Sequence, residues 1–294
     1  MYNGVKKCFF FFFRCFTRHS FFLTRCKVTH STRDWLILRC FANLAQMAFG
    51  DTLFRLESLD STNNYAATLL RSADVAQGTV VLSQFQEAGR GQRGKVWQAS
   101  PGSALLMSVV LFPNALAADR QFALSQVVSI SLVEFLKTRF ALKASVKWPN
   151  DLLCNDAKLA GVLIENSLRG TWVEHSIVGI GMNLNEHPEG TALKSTSLSA
   201  EVGQRFVPED VCKALLPVLE RNYQLLLYND SLRETRYREC LWGTDRWLKY
   251  RAGEDELQAR VAGVDARGQL VLEFPNGNTR SFAMQDVQLM GELL

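Results

Sequence analysis

The hydrophobic and polar positions in the middle of the chain change repeatedly between a strand-like and a helix-like period. Alternating apolar residues predict a strand over Leu53–Leu59, and β-branched and apolar runs predict strands over Thr79–Phe85 and Ala104–Phe112. Phe122–Leu136 is apolar almost all round, which is typical of a helix buried against a sheet. Apolar positions at helical spacing predict an amphipathic helix over Pro208–Tyr228. The pattern therefore favours an α/β fold with helices packed on a sheet.

The last part of the chain has a different pattern. From Leu257 onward, short strands alternate with turn sequences at Asp265–Gly268 and Pro275–Asn278, which predicts a small all-β domain. The full chain has 294 residues, of which 47% are hydrophobic, enough to bury the core of one large or two smaller domains. We therefore expect a larger domain over residues 51–245 and a small β domain over residues 246–294.

Residues 1–46 differ sharply in composition from the rest. They hold four of the seven cysteines, a run of five phenylalanines and a net charge of +7. Arginines interrupt the apolar stretches, so the segment lacks the continuous hydrophobic run of a signal peptide or a transmembrane helix. An arginine-rich targeting peptide stays open as an alternative. We favour the interpretation that residues 1–50 are an atypical extension, disordered or read through from a misassigned start, with Met47 the true first residue.

The charge distribution argues against a nucleic acid as the main partner. The chain carries +4 at neutral pH, but residues 47–294 carry −3 once the basic amino-terminal segment is set aside. Cys154, Cys212 and Cys240 are isolated in sequence, as expected of reduced thiols in a cytoplasmic protein. The four amino-terminal cysteines have spacings that fit no common zinc pattern.

The most distinctive stretch is Gln86–Trp97, with the sequence QEAGRGQRGKVW. Its three glycines allow positive φ angles and a close approach of the backbone to a ligand. Arg90, Arg93 and Lys95 add positive charge, and a guanidinium can bind two oxygens of a phosphate or carboxylate at once. The spacing matches neither a P-loop nor the dinucleotide-binding glycine motif. The stretch is therefore either a solvated basic hairpin loop or an anion-binding loop.

Four other stretches on the predicted sheet also suit a polar or anionic ligand. The polar run Asp60–Asn64 lies between a strand and a helix, where it can cap the helix or bind a small polar ligand. Asp151 is either a candidate ligand of magnesium or part of an Asx turn. Lys158 begins a β-rich run, where its ammonium group either reaches water or faces an anion. The glycines of Gly179–Asn183 would let a flat ligand lie on the sheet.

Taken in order, these stretches resemble biotin protein ligases. The resemblance covers roughly residues 53–290 and rests on five motifs, any one of which would be weak alone. The motifs are DSTN at 60–63, the glycine-arginine stretch ending at Trp97, KWPND at 147–151, KLAG at 158–161 and GIGMN at 179–183. The resemblance implies an α/β (α+β) fold with a mixed central sheet packed by helices, of the class II synthetase-like kind, followed by a small SH3-like β-barrel.

The resemblance also implies an activity with its substrates and partners. The carboxylate of biotin would attack the α-phosphate of ATP to give biotinyl-5′-AMP, and a lysine of a biotin carboxyl carrier protein or domain would attack that mixed anhydride. Cations and Mg²⁺ would supply most of the catalysis by positioning and electrostatic stabilisation. Residues 1–50 show no helix-turn-helix pattern, so the resemblance is to the type without a DNA-binding domain. We expect a cytoplasmic monomer or homodimer that binds neither DNA nor a membrane.

The resemblance gives each candidate site residue a role. Arg90 and Lys158 would be catalytic, because Arg90 would bridge carboxylate and phosphate while Lys158 would stabilise the developing negative charge. Asp151 would hold Mg²⁺. The residues implied to contact biotin are Ser61, Thr62, Asn63, Gln86, Gly89, Arg90, Lys158, Gly161 and Gly179. The residues implied to bind ATP are Arg90, Gln92, Arg93, Trp97, Lys147 and Asn183, with Lys147 more a support than a direct ligand.

One departure from the family pattern and two alternatives remain. The family commonly has a second arginine where this chain has Gln92, which bears on retention of the adenylate. A lipoate-protein ligase or acyltransferase of the related fold would share Lys158. A non-catalytic biotin or adenylate sensor is the other alternative, although a sensor would not need Arg90, Asp151 and Lys158 together.

Overall fold

The computed structural model describes residues 48–113, 115–188 and 194–292, apart from the side chains of residues 226–228 and 291–292. The expectations for residues 1–46, and for Met47 as the first residue, lie outside the described residues. None of the helices in the described ranges is both long and apolar enough to cross a membrane.

The described ranges contain twelve strands and five α-helices. The strands are β1 (Leu53–Leu59), β2 (Val80–Gln86), β3 (Ala104–Leu111), β4 (Ala144–Lys147), β5 (Asp151–Cys154), β6 (Ala157–Arg169), β7 (Trp172–Asn183), β8 (Leu248–Ala252), β9 (Asp255–Val264), β10 (Leu270–Glu273), β11 (Thr279–Phe282) and β12 (Gln288–Glu292). The helices are α1 (Thr62–Ser72), α2 (Phe122–Phe140), α3 (Leu198–Val202), α4 (Pro208–Tyr228) and α5 (Asp230–Glu239).

Seven strands form one mixed sheet in the order β1-β2-β3-β7-β6-β5-β4. β1 and β2 are parallel, and the other neighbours pair antiparallel. A parallel pair needs a crossover connection, and α1 supplies it between β1 and β2. The predicted mixed central sheet with packed helices is confirmed.

One face of this sheet carries the main hydrophobic core. The two-residue period of a strand puts Leu105, Met107 and Val109 of β3 on this face. Neighbouring β7 contributes Val178 and Ile180 to the same face. Helices α2 and α4 cover it, and their buried apolar residues belong to the same cluster as those of the strands. Because α2 packs on the sheet and also meets α4 and α5, it is apolar on most of its surface, as its sequence predicted.

The opposite face is covered only in part by α1. Ala66 of α1 belongs to one cluster with Val81, Val110 and Ile177 of the strands beneath it. Farther along the same strands and on the same face, small residues replace the large apolar ones. These residues are Ser108 on β3, Gly179 and Gly181 on β7, and Gly161 on β6. The half of the sheet beyond α1 is therefore a shallow floor.

Helix α2 runs to Phe140, four residues past the predicted end at Leu136. The ring of Phe140 packs edge-on against Phe135 and Phe206, with centroid distances of 5.5 and 5.3 Å. Ala141 then takes a left-handed conformation with φ of 56°, and its N–H bonds to helix carbonyls. Tertiary packing of an aromatic ring thus extends the helix beyond its periodic sequence pattern.

Five strands form a second, antiparallel sheet in the order β11-β10-β9-β8-β12. It begins with β8 at Leu248, earlier than the strand pattern at Leu257 suggested. Its core residues join one cluster with Ile130 of α2 and Tyr237 of α5. A small all-β element at this end of the chain is confirmed, and its antiparallel pairing is consistent with a small barrel. The division into domains at residue 245 stays a prediction.

Arg233 of α5 is 1% exposed and joins α5 to α2. Its Nε donates to Oε1 of Gln126 at 2.9 Å, and its guanidinium also pairs with Asp230 and Glu234. We expect Arg233→Ala to lower the free energy of unfolding by about 2–3 kcal/mol, because buried Gln126 would lose its partner and a cavity would remain. Urea denaturation measures the change. Arg238→Ala, at an exposed position of the same helix, should change it by less than about 0.5 kcal/mol; equal losses would contradict this account.

Candidate active site

Three glycines leave part of the sheet bare. Gly161 on β6 lies opposite Gly181 on β7, and Gly179 lies two residues away on the same face. A Cβ atom at Gly181 would lie 2.6 Å from the indole ring of Trp97, and one at Gly179 would overlap the side-chain oxygen of Asn63. Neither position accepts a larger residue unless its neighbour moves. At these points side chains rest directly on the strand backbone.

The glycines floor an open cavity of about 670 Å³. Its walls come from the start of α1, the loop between β2 and β3, the β4–β5 hairpin and apolar residues of the second sheet. Fourteen of the fifteen site residues predicted from the sequence line it: Ser61, Thr62, Asn63, Gln86, Arg90, Gln92, Arg93, Trp97, Lys147, Asp151, Lys158, Gly161, Gly179 and Asn183. Gly89 is buried behind this lining, where its carbonyl accepts the Trp97 N–H at 2.9 Å.

The loop between β2 and β3 folds back on itself as a small hairpin. The N–H of Gly91 donates to the carbonyl of Lys95 at 2.7 Å, and Arg93 at the tip has a φ of 56°. Arg90 pairs with Val96 across the hairpin as an isolated β-bridge. The loop is therefore a hairpin, and its cations also line the cavity. The hairpin interpretation is confirmed, and anion binding by this loop stays a prediction.

The indole of Trp97 lies on the glycine floor. The Nζ of Lys158 is 5.7 Å from the ring centroid, within the range of a cation–π contact. The indole Nε1 is buried, and no described residue accepts its hydrogen. Because a buried donor without a partner is costly, a ligand that brings an acceptor to this point would be favoured.

A β-bulge turns Lys158 toward the cavity. Leu153 of β5 pairs with Lys158, whereas Leu152 pairs with Ala160, so β6 carries one extra residue, Leu159, at this point. Leu159 and Ala160 are both fully buried in the core on the helix-covered face. Without the extra residue, the strict alternation of a strand would turn the Lys158 side chain to the helix-covered face, away from Gly161. The bulge thus re-aims Lys158, together with Ala157 before it, while residues 160–167 of β6 stay in register with β7.

Lys158 and Asp151 form the charged centre of the cavity. Nζ of Lys158 lies 2.6 Å from Oδ1 of Asp151, and both side chains are partly exposed. Burial lowers the pKa of nearby Lys147; the charge of Asp151 opposes this shift, while Lys158 and Lys95 add to it. Asp151 is the one carboxylate among the described lining residues, so positive charge dominates the cavity. Such a cavity attracts anions.

Asp151 is also the residue expected to hold Mg²⁺. The described residues contain no group of three or more His, Cys, Asp or Glu side chains placed to hold a metal ion. Mg²⁺ does not require such a group, because it is commonly held by one or two carboxylates together with phosphate oxygens and water. A single, partly exposed carboxylate at a cation-rich cavity fits that mode of binding when a phosphate is present.

Hydrogen bonds order the polar end of the cavity. The N–H of Thr62 donates to Oε1 of Gln86 at 2.8 Å, and Oδ1 of Asn63 lies 2.6 Å from the hydroxyl oxygen of Ser108. Ser61 occupies the N-cap position of α1, but its side chain makes no capping hydrogen bond, contrary to the interpretation of the polar run as a cap. Gln86 takes the N–H of Thr62 instead.

Asn183, at the end of β7, anchors the wall beside Lys158. Its Nδ2 donates to the carbonyl of Thr196 at 3.0 Å. The N–H of Lys158 donates to the carbonyl of Lys194 at 2.7 Å, and the N–H of Thr196 donates to the carbonyl of Lys158 at 2.9 Å. The amide of Asn183 is thus engaged with the protein itself, and its implied contact with ATP stays a prediction.

Comparison with known proteins identifies the family. The Biotin/lipoate A/B protein ligase family model matches residues 56–183, which contain the glycine floor and the hairpin loop. The biotin--[acetyl-CoA-carboxylase] ligase of Paracoccus denitrificans is 33% identical over 233 residues, which are 76% of this chain and 94% of that protein. This chain belongs to the biotin/lipoate A/B protein ligase family.

Other relatives agree with membership of the biotin/lipoate A/B protein ligase family. The bifunctional ligase/repressor BirA of Bacillus subtilis is 26% identical over 245 residues, which are 82% of this chain and 74% of that protein. The biotin protein ligase of Aquifex aeolicus, solved in complex with biotin and ATP, matches with a TM-score of 0.69 and 24% identity. That match covers 82% of this chain and 100% of the other. It shows that the two proteins share a fold.

Two polar residues beside the site, Ser108 and Glu165, were not predicted from the sequence. Ser108 is fully buried in β3 and contacts the side chain of Asn63. Oε2 of Glu165 accepts hydrogen bonds from Nδ2 of Asn63 at 2.7 Å and from Nη2 of Arg90 at 3.0 Å. Two features of the sequence pointed to them: Ser108 interrupts the apolar run Ala104–Leu111, and Glu165 is an acid in the β-rich run that begins at Lys158. Their importance depends on strand pairing, which the sequence does not display.

The close contact between Gly179 and Asn63 gives a test of the glycine floor. We expect Gly179→Ala to lower the free energy of unfolding by about 1–3 kcal/mol, because the new methyl group would displace a buried, hydrogen-bonded amide. Gly263→Ala is the matched control, since a Cβ there meets nothing within 4 Å. The control should change stability by less than about 0.5 kcal/mol in urea denaturation. Equal stability of the two variants would show that Asn63 is free to move.

Proposed function

We propose that this chain is an ATP-dependent biotin protein ligase, which makes biotinyl-5′-AMP and transfers biotin to a lysine of a biotin carboxyl carrier protein or domain. The observation that carries the proposal is one cavity that is lined by a buried hydrogen-bonding cluster, by a glycine floor under Trp97 and by the Lys158–Asp151 centre. Biotin has a urea at one end and a carboxylate at the other, which matches this arrangement. The names of the relatives support the same reaction.

The first step joins two anions. A carboxylate oxygen of biotin attacks the α-phosphorus of ATP, the bond from that phosphorus to pyrophosphate breaks, and pyrophosphate leaves. Lys158 and Arg90 supply the positive charge that this approach requires, and Asp151 holds the Lys158 ammonium group at 2.6 Å. Mg²⁺, when held by Asp151 and the phosphate oxygens, supplies further charge neutralisation.

The second step transfers the acyl group. The neutral amine of the carrier lysine attacks the acyl carbon, the bond between that carbon and the phosphate oxygen breaks, and AMP leaves while the amine releases a proton to solvent. The cavity must therefore stay open to a protein side chain. Val96 and Met290, which are 67% and 43% exposed, line the cavity and offer apolar contact at its mouth. The carrier would meet this mouth.

The polar cluster is the proposed site for the urea of biotin. Ser61, Thr62 and Asn63 are 3–4% exposed, so they would bind the urea or line its pocket in a place sheltered from water. Oε1 of Gln86 is already bonded to the N–H of Thr62, which leaves Nε2 as a donor for the urea carbonyl. Gly161 and Gly179 would let Trp97 and Asn63 lie close to the strand backbone and leave room above them for the bicyclic ring, while Gly89 would support this wall through its bond to Trp97.

This cluster also favours biotin over lipoate. The dithiolane ring of lipoate has no N–H or carbonyl group. When it binds, the buried amides and hydroxyls of the cluster would lose their hydrogen bonds to water and would gain none to the ligand. A site built to hydrogen-bond a polar group rejects an analogue that lacks it much more strongly than an apolar pocket does. A pure sensor is disfavoured because Arg90, Lys158 and Asp151 all line one cavity, a set that binding alone does not require.

The remaining assignments concern ATP and partners. Trp97, on the floor beside Lys158, and Asn183 would contact adenine. Arg90, Gln92 and Arg93 of the hairpin would contact the phosphates, with Lys147 as a support beneath them. We further propose that the protein is cytoplasmic, monomeric or homodimeric, and without DNA-binding activity.

Mass spectrometry of a carrier domain tests the proposal directly. Incubation with the purified protein, Mg²⁺, ATP and biotin should add the mass of one biotin, and removal of Mg²⁺ with EDTA should abolish the gain. Lys158→Ala and Arg90→Ala should each slow the gain by about 100-fold or more, because each removes charge that faces the transferred group. Lys213→Ala, which removes an exposed lysine of α4, should leave the rate unchanged.

Different outcomes of this assay point to different functions. A mass gain with lipoate and none with biotin would move the protein to the lipoate branch of the family. Tight biotin binding without any mass gain would leave a sensor. A full rate in Lys158→Ala would remove the residue from the proposed chemistry even if biotin is transferred.

Gln92 gives a separate test of how the adenylate is retained. We expect Gln92→Arg to slow the release of biotinyl-5′-AMP by about tenfold, because a charge-assisted hydrogen bond to the phosphate would replace a neutral one. The release rate can be measured by trapping free adenylate after rapid dilution. Gln258→Arg adds the same charge at an exposed position of β9 and should have no effect. Identical release from both variants would show that position 92 does not contact the adenylate.

A further inference from the structure

Glu165 connects two residues of the cavity wall, yet the reaction described above gives it no role. Its Oε2 accepts a hydrogen bond from Nδ2 of Asn63 at 2.7 Å and from Nη2 of Arg90 at 3.0 Å. Asn63 is 3% exposed, whereas the side chain of Glu165 is 38% exposed. A buried amide is therefore held by a charged group at the edge of the site.

The carboxylate decides which way the amide of Asn63 points. An ionised carboxylate only accepts hydrogen bonds, so Asn63 must turn its nitrogen toward Glu165. The same nitrogen has a longer contact of 3.4 Å with the carbonyl of Leu163, which favours the same orientation. Oδ1 of Asn63 then faces the hydroxyl of Ser108 at 2.6 Å. The acceptor oxygen that Glu165 turns toward Asn63 thus determines that Ser108 meets an acceptor.

This orientation in turn fixes the hydroxyl protons. Ser108 has one hydroxyl proton and gives it to Asn63, so its 2.7 Å contact with Oγ1 of Thr62 requires the proton of Thr62. The alternative acceptor for that proton is Oε1 of Gln86, 3.1 Å away. In either case the proton of Thr62 stays within the protein. The lone pairs of Thr62 are left for an N–H group of a ligand.

We propose that Glu165 is a positioning residue that fixes, through Asn63, the pattern of donors and acceptors that the cavity offers to its ligand. The proposal rests on the proposed function and makes it more specific. Thr62 then presents an acceptor and Gln86 presents a donor, which is the complement of a cyclic urea with its N–H and carbonyl groups. Without Glu165 the amide of Asn63 can rotate, Ser108 can donate to Thr62, and Thr62 loses acceptor capacity.

The glutamate Glu174 provides a matched control. It lies on β7, which pairs with the strand of Glu165, and it forms an ion pair with Arg169. Its side chain is 34% exposed, close to the 38% of Glu165, and neither glutamate is among the residues that line the cavity. Glu165→Leu and Glu174→Leu therefore remove the same charge and one arginine pair each, and only the first removes the contact with Asn63.

Biotin affinity without ATP, measured by isothermal titration calorimetry, separates the two variants. We expect Glu165→Leu to weaken biotin binding by about tenfold, because Ser108 then occupies one of the two lone pairs that Thr62 offers to the urea N–H. Glu174→Leu should bind biotin as the wild type does. Glu165→Leu should have the lower Tm of the two, because it leaves Nδ2 of buried Asn63 with only the 3.4 Å contact to the carbonyl of Leu163. Glu165→Gln retains an acceptor for Asn63 and should stay within about threefold of the wild type. Affinities are compared well below the Tm of every variant, where a residue that only supported the fold would leave biotin binding unchanged.

An exchange of the two groups gives the sharpest test. Asn63→Asp alone would place a second carboxylate against Glu165 and should weaken biotin binding by at least about tenfold. Asn63→Asp combined with Glu165→Gln restores a donor and an acceptor across the same contact. The aspartate still accepts from Ser108, so Thr62 keeps its lone pairs for the ligand. The double variant should recover most of the affinity lost in Asn63→Asp.

The outcomes distinguish this inference from the proposed function. Wild-type protein that binds no biotin would overturn both. Wild-type binding together with equal affinities of Glu165→Leu and Glu174→Leu would overturn the role of Glu165 alone. So would a double variant that binds biotin no better than Asn63→Asp, because the exchange would then have restored nothing that the ligand needs.

Discussion

The structure depends on a patch of sheet without side chains. Gly161, Gly179 and Gly181 lie in the two long central strands β6 and β7, where glycine weakens a strand because it costs chain entropy and adds no packing. The opposite face compensates, since the same strands carry large apolar residues under α2 and α4. The sheet can therefore expose its backbone on one face, because the hydrophobic core on the other face stabilises these strands. The indole of Trp97 and the amide of Asn63 use that backbone as a surface.

The two cations proposed for catalysis each have an acidic partner. Lys158 pairs with Asp151, and Arg90 pairs with Glu165. All four side chains are between 22% and 44% exposed, so each ion pair is weak in free energy and can give way to a phosphate or a carboxylate at little cost. The acids hold the cations in place before a ligand arrives. A fully buried pair would hold them more firmly but would resist the exchange.

Much of the fold and most of the site could be predicted from the sequence, and the parts that could not share a cause. The hydrophobic pattern predicted β1, β2, β3, α2 and α4, since burial of one face leaves a direct trace in the sequence. The five motifs placed fourteen of fifteen predicted residues at one cavity. The end of α2 at Phe140 and the contacts of Ser108 and Glu165 were not predicted, because these contacts come from elements far apart in the chain. A serine or an acid in a strand has no visible partner until the register of the strands is known.

The register of β6 also decides which of its side chains face the cavity. Gly161 and Glu165 lie on one face of β6 because they are separated by an even number of residues, and a slip by one residue would turn both into the core. Lys158 is separated from Gly161 by an odd number and would face the helices in a regular strand. The extra residue at Leu159 reverses this alternation for Lys158 and for Ala157 before it. The strand β6 thus carries Gly161, Lys158 and Glu165 on a single face. The bulge is the reason that Lys158 lies on that face.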